Sequence, residues 1–335
     1  VGFTVKVGFI GNYQSGYVGE ISDESHLARE IETLGNKVYR IPRDEWREYV
    51  IEGFPQNKYK NVPEIDRLDI VIFAKWAGFY DGSFIVKARE KYKCPCFLWV
   101  WDWMQGEPWH MEAVKAADLY IANDVFSGKY DILKYETPNY VNNLYYFPFD
   151  VADNNFPRFH LKDKTIEVAF FGSWINQGHR QEWLKQINHA IPVTVFSWNY
   201  QEWPKEFSAY PPVYGHDFSR KVAESKICLG FSVDPYTWGY WSNRTGKTLL
   251  AGGFLLYEYA PGMELFLRDG VEYFSSVDEA VFKIGFYTVN HLARNGIANR
   301  GYDLAQERFS SAARVKDLLI LVDRFIHKGE AVWKM

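Results

Sequence analysis

The sequence predicts an α/β protein of two domains, each built on a parallel sheet, with the two sheets facing a cleft. Three observations predict it. Short strand-like runs alternate with helical stretches along the whole chain. The runs are almost wholly apolar, as in L-D-I-V-I-F-A at Leu68 to Ala74, the pattern of strands covered on both faces. The alternation comes in two series, parted by a polar, proline-containing stretch from Asp150 to Lys164 that reads as an interdomain linker. Two such series in succession give two Rossmann-like sheets with right-handed crossovers. Ligands of such sheets bind at the carboxyl ends of the strands.

In the first series, Val5 to Ile10 is a strand running into a glycine-spaced loop, Gly11 to Gly19. Ser22 is placed to cap a helix that runs through Leu34, with Ser25 in the usual capping-box place and Gly35 as its stop. Val38 to Ile41, Leu68 to Ala74, Cys96 to Trp101, Leu119 to Ala122 and Tyr145 to Phe149 are further strands. Helices fall at Ser83 to Tyr92 and Ala113 to Ala117. In the second series, strands are expected at Glu167 to Phe171, Pro192 to Phe196, Ile227 to Phe231, Gly253 to Tyr257 and Val271 to Phe274. Helices are expected around Gln181 to His189, ending at Val222 to Ser225, and at Thr245 to Leu250, Glu264 to Leu267 and Val277 to Val289. His291 to Arg308 and Ala312 to Phe325 are the terminal helices. The expected domains are residues 1–155 and 156–310. Residues 311–335 form a terminal helix with the N-terminal domain as one candidate packing partner.

A chain of 335 residues suits two domains. Its 47% hydrophobic and 24% charged content is that of a globular protein. A net charge of −4 gives no general attraction to nucleic acid or anionic membrane. No apolar run approaches the ~18 residues of a membrane span, and Val1 to Gly11 reads as a strand rather than a signal peptide, so a soluble, cytoplasmic protein is expected. Three cysteines are too few for a disulfide framework. Cys94 and Cys96 read as buried thiols in a strand, with a redox or metal pair as the alternative. Aromatics make up 18%, with 13 tryptophans and 23 tyrosines. They supply core, and they could also line a pocket that stacks a base or a sugar.

Four places could carry chemistry. The Gly11 to Gly19 loop lacks the spacing of a dinucleotide fingerprint. It is either a plain surface loop or an acceptor loop, with Tyr13, Gln14 and Ser15 as its candidate contacts. Gly172-Ser173-Trp174 follows a strand, with Arg180 in the next helix. Small residues there let backbone N–H groups approach an anion, and an arginine could pair with a phosphate. Asn243 is a candidate N-cap for the helix opened by Arg244 and Thr245, with Lys247 one turn beyond Arg244 on the same face. Two cations at a helix N-terminus oppose its dipole unless an anion such as a diphosphate joins them. The other reading is a solvated basic turn. His26 and Asp102 are the candidate general bases for an acceptor hydroxyl. His26 lies inside a helix, where a packed or capping histidine is favoured over a base; Asp102 follows a strand at its carboxyl edge.

The stretch Arg244-(x)₂-Lys247, Ala251-Gly252-Gly253 and Pro261-Gly262-Met263-Glu264-Leu265-Phe266 resembles the C-terminal part of the CgeB-like (spore maturation protein) glycosyltransferases, relatives of family 4 within the GT-B fold. Ile297-Ala298-Asn299-Arg300-Gly301, Phe309 and Arg314 fit the same likeness, as do His26 to Val38 and Phe97-Leu98-Trp99 leading to Asp102. The resemblance implies that Arg244 and Arg180 contact a donor diphosphate, with Gly172 and Ser173 approaching the same phosphates. It implies Glu264 near the sugar or nucleotide and Asp102 near the acceptor. The family 4 Glu-x₇-Glu pair is replaced here by Gly239 and Lys247. Ribose recognition by that second Glu therefore does not carry over, and Lys247 becomes a candidate second diphosphate ligand.

The function this reading implies is a hexosyl- or pentosyltransferase using a nucleotide-diphosphate-sugar donor, with UDP among the nucleotides expected. No cofactor and no metal are expected. The acceptor is open among glycan, protein, small molecule and modified nucleic-acid base. The alternatives are a nucleotide-sugar epimerase of the same fold and a two-domain small-molecule-binding protein without catalysis.

Overall fold

The structure is a computed structural model, and it describes residues 4–13, 22–48, 67–74, 82–100, 108–122, 144–146, 156–161, 163–174, 178–233, 235–236 and 238–328. The chain divides into two compact units, Val1–Phe149 with Arg314–Met335, and Asp150–Ala313.

The first unit holds β1 (Lys6–Gly11), α1 (Asp23–Thr33), β2 (Lys37–Pro42), α2 (Arg43–Trp46), β3 (Ile70–Ala74), α3 (Gly82–Tyr92), β4 (Cys96–Val100), α4 (Pro108–Ala116), β5 (Leu119–Ala122) and β6 (Leu144–Tyr146). Six parallel strands run in the order β2-β1-β3-β4-β5-β6. Every residue of β3 and β4 is buried, as their apolar runs require. Ser22 caps α1, its side chain accepting from the Ser25 N–H at 3.2 Å, and Gly35 ends the helix at φ +84°. Asp118 ties the start of β4 to α3. Its Oδ2 accepts from the Cys96 N–H at 2.8 Å and from Arg89 Nε at 3.2 Å. Cys94 and Cys96 are free and buried, and burial pushes the Cys94 thiol up to about 12. Burial disfavours the thiolate, the form that reacts or binds metal. The chain returns to this unit at its end, where Phe325 meets Phe97 edge-on at 5.1 Å.

The second unit holds β7 (Ile166–Phe171), α5 (His179–Ala190), β8 (Thr194–Phe196), β9 (Ser208–Tyr210), α6 (Gly215–Glu224), β10 (Ser225–Gly230), α7 (Arg244–Leu250), β11 (Leu255–Glu258), α8 (Met263–Leu267), β12 (Glu272–Phe274), α9 (Val277–Val289) and α10 (His291–Arg308). A last helix, α11 (Ser311–Asp323), begins here. The six strands are again parallel, in the order β12-β11-β10-β7-β8-β9. Counted within the unit this is the 3-2-1-4-5-6 order of nucleotide-binding sheets, and the order reverses between β7 and β10. Side chains alternate across the sheet. Phe170, Leu229 and Leu256 face α5 and α9 in one core layer; Phe171, Cys228 and Tyr257 face α6, α7 and α10 in the other.

The described part of the polar 150–164 stretch is laid on this unit. Phe156 is buried edge-on against Phe218 at 5.6 Å. Arg158 bonds Asn299 and lies over the Tyr302 ring, and Lys164 Nζ donates to the carbonyls of Ala223 and Ser225 at 2.8 and 2.9 Å.

Candidate functional site

The reversal of strand order leaves a crevice at the carboxyl ends of β7 and β10, because the connections on either side leave in opposite directions. Gly230 ends β10 there, and a Cβ on it would collide with the Tyr257 ring. Gly172 follows β7, and its N–H donates to the Phe196 carbonyl at 3.1 Å. Phe170, Leu229, Gly230, Arg244, Thr245 and Tyr257 are among the residues that line the crevice.

Arg180 comes to this edge from the first turn of α5. It is only 4% exposed, and its Nη2 donates to the Ser173 carbonyl at 2.8 Å. Burial pushes its pKa down to about 10, and the Arg244 guanidinium nearby pushes in the same direction. It is still a cation at neutral pH. Two guanidiniums thus share one corner, one from each face of the sheet.

Glu258, the last residue of β11, is 3% exposed. Its Oε1 meets His179 Nε2 at 2.5 Å. Burial pushes the carboxyl up to about 8, against the opposing pull of Arg180. Its neighbour Tyr257 points to the other face, where its hydroxyl oxygen accepts from the Ser242 N–H at 3.3 Å. Burial also raises the Tyr257 phenol. One dipeptide therefore puts a carboxyl among the α5 residues and a phenol beside α7.

Of the residues singled out in the sequence, Gly172, Ser173, Arg180, Arg244 and Thr245 gather at this edge. Trp174 is held by its backbone: its N–H donates to Asn199 Oδ1 at 2.9 Å, and its carbonyl accepts from Asn199 Nδ2 at 2.8 Å. Its ring packs on Trp203 at 4.9 Å and Phe207 at 6.1 Å, so its side chain belongs to the hydrophobic layer. Asn243 does not cap α7. Its backbone is already helical at φ −59° and ψ −15°, and its side chain makes no cap bond. A cap needs an extended backbone to aim its oxygen back at the helix. Ser242 takes the part, its carbonyl accepting from the Thr245 N–H at 2.9 Å and its hydroxyl from the Arg244 N–H at 3.4 Å. Lys247 Nζ lies over the Phe156 ring at 5.4 Å. Glu264 is exposed on α8 and hydrogen-bonds Tyr259.

In the first unit, His26 is 4% exposed, and its Nδ1 lies 3.0 Å from Arg29 Nη2 in the same helix. The Tyr13 hydroxyl donates to the Phe9 carbonyl at 2.6 Å. Gln14, Ser15 and Asp102 lie outside the described residues. Among the described residues, no three His, Cys, Asp or Glu side chains gather as metal ligands would. His179 and Glu258 were not singled out in the sequence. The available signal was a carboxylate ending the apolar run L-L-Y-E at a strand's carboxyl edge.

The architecture is that of the GT-B glycosyltransferases: two Rossmann-like units with parallel sheets. Residues 179–320 match the family model described as Glycosyl transferase-like. No curated protein matches the chain by sequence. Among solved structures, the chain is similar to HepE of Anabaena in complex with UDP and glucose, at TM-score 0.63 and 14% identity over 95% of this chain and 99% of that one. It is similar to sucrose-phosphate synthase of Thermosynechococcus elongatus at TM-score 0.64 and 9% identity, over 97% and 100%. It is also similar to an α-glucosyltransferase in complex with UDP-glucose and DNA containing an abasic site, at TM-score 0.62 and 11% identity, over 96% and 100%. At such identities the likeness is one of fold.

Proposed function

We propose that this chain is a glycosyltransferase that moves a sugar from a nucleotide-diphosphate-sugar donor to an acceptor hydroxyl. The observation that carries the reading is Arg180, buried at the switch point of a 3-2-1-4-5-6 sheet with Arg244 as its neighbour. A buried guanidinium with a half-buried one beside it is unfavourable for the empty fold, and an anion held between them offsets the cost. A diphosphate is such an anion, and it gains negative charge as the sugar–oxygen bond breaks. Fixed guanidiniums at the leaving group are the electrostatic help this step needs. The backbone at Gly172 and Ser173 would meet the same phosphates.

Two comparisons support the reading. The family-model match spans Arg180, Arg244 and Glu258. HepE and the α-glucosyltransferase are solved with UDP or UDP-glucose, which makes UDP the first nucleotide to try. With two fixed cations at the diphosphate, turnover is expected to survive EDTA. The cytoplasmic location expected from the sequence is part of the proposal.

The test is thermal unfolding with UDP, GDP, ADP, CDP and dTDP at millimolar concentration. At least one should raise the melting temperature; five flat curves would sink the reading. Product analysis then separates a transferase, which needs an acceptor, from an epimerase, which converts the donor alone.

A further inference from the structure

Glu258 has one oxygen too many for its surroundings. Oε1 is held by His179 at 2.5 Å, but Oε2 is buried without a hydrogen-bond partner, on a residue only 3% exposed. A buried oxygen left unsatisfied is destabilising, and a ligand group that bonds it removes that cost. The His179 bond occupies Oε1 and leaves Oε2 as the carboxyl oxygen still able to take a hydrogen bond. The pair is also in the right place, at the carboxyl edge of β11, with Arg180 following His179 in the chain and close enough to act on Glu258 electrostatically.

We propose that the His179–Glu258 pair is a hydroxyl-recognition element of the donor site, with Oε2 of Glu258 bonding a hydroxyl of the bound nucleotide sugar. The inference rests on the reading of the second unit as a nucleotide-sugar site. The partner is a hydroxyl rather than a phosphate, because a carboxyl offers the diphosphate no positive charge while the two arginines do. It is a hydroxyl rather than a metal ion, because Glu258 is not joined by two further ligand side chains among the described residues. The hydroxyl could come from the ribose or from the transferred sugar. Both offer a neutral O–H that bonds a carboxyl in either protonation state.

The experiment is calorimetric titration of the full chain with UDP against 2′-deoxy-UDP and 3′-deoxy-UDP, and with UDP-glucose against its 2-deoxy, 3-deoxy and 4-deoxyglucose analogues. The wild type should prefer the hydroxylated ligand by at least about fivefold in one arm, the effect of one hydrogen bond. That ratio should fall to about one in Glu258→Leu and persist in Glu258→Gln, which keeps a polar group in place. The arm that loses its ratio names the hydroxyl. Should the Leu variant not fold, His179→Leu frees the carboxyl and should lower the same ratio. Ratios that Glu258→Leu leaves unchanged, or a wild type with no preference in either arm, overturn this inference and leave the donor reading standing. A wild type that binds none of the nucleoside diphosphates overturns both.

Discussion

Arg180 and Arg244 bring like charge into one small volume, and their repulsion works against the empty fold. Removing one should help the fold and hurt the site. Arg244→Ala is therefore expected to leave the melting temperature unchanged or slightly raised without nucleotide, and to lose most of the nucleotide-induced rise and most of the turnover. A variant that is merely unstable, with its nucleotide response intact, would take Arg244 out of the site. Glu258 makes a second prediction at this scale. Its carboxyl keeps its proton in the fold up to about pH 8, against an ordinary value of 4.5. Between these values the folded chain holds the extra proton, so this group's contribution to stability falls as pH rises. Glu258→Gln removes that contribution. Melting curves from pH 5 to 8 should show the variant gaining on the wild type as pH rises; a constant gap would mean that Glu258 is already ionised. Sequence inspection finds the two arginines because each opens or follows a helix start beside small residues. It misses the His179–Glu258 pair because the partners are 79 positions apart and only the sheet order unites them.

At the scale of elements, the close approach of α10 to the turn before β12 is made by two glycines. A Cβ on Gly301 would drive into the backbone carbonyl of Gly270, which cannot swing aside as a side chain would. Arg300 Nε adds an ion pair to Asp269 at 2.7 Å across the same contact. Gly301→Ala should cost about 1–3 kcal/mol of stability, the range for overpacking. Chemical unfolding measures it, and an unchanged midpoint would show that the helix can shift. The I-A-x-x-G stretch that ends here is thus a packing motif. The longer strands were legible because their residues are apolar without a break. The edge strand β9, Ser208–Tyr210, was not: its three residues are largely exposed and carry no period to read. Asn243 misled because residue type favours a cap, while the backbone at that position is already helical.

Taken as a whole, the molecule keeps both guanidiniums, the buried carboxyl and the switch point within Asp150–Ala313. Nucleotide should therefore slow hydrogen exchange first around residues 172–180 and 242–258. Protection spread evenly over the chain would argue against a discrete site. EDTA should leave turnover intact, and its loss, restored by a divalent cation, would assign part of the diphosphate's charge to a metal. Among the described residues, most of the aromatics, so prominent in composition, lie in the core. Trp46, Trp99, Trp241, Tyr120 and Tyr257 are among the largest fully buried side chains.

The strand that ends in Tyr257 and Glu258 has a consequence for how such a protein can change over generations. Its two terminal residues serve opposite layers, and their division of labour depends on a two-residue period. An insertion or deletion of a single residue in β11 would exchange them, sending the phenol among the α5 residues and the carboxyl toward Ser242. Lineages can alter what is recognised here by substitution at either position. They cannot do so by changing the strand's length, so this segment should resist indels even where the surrounding sequence has drifted beyond recognition.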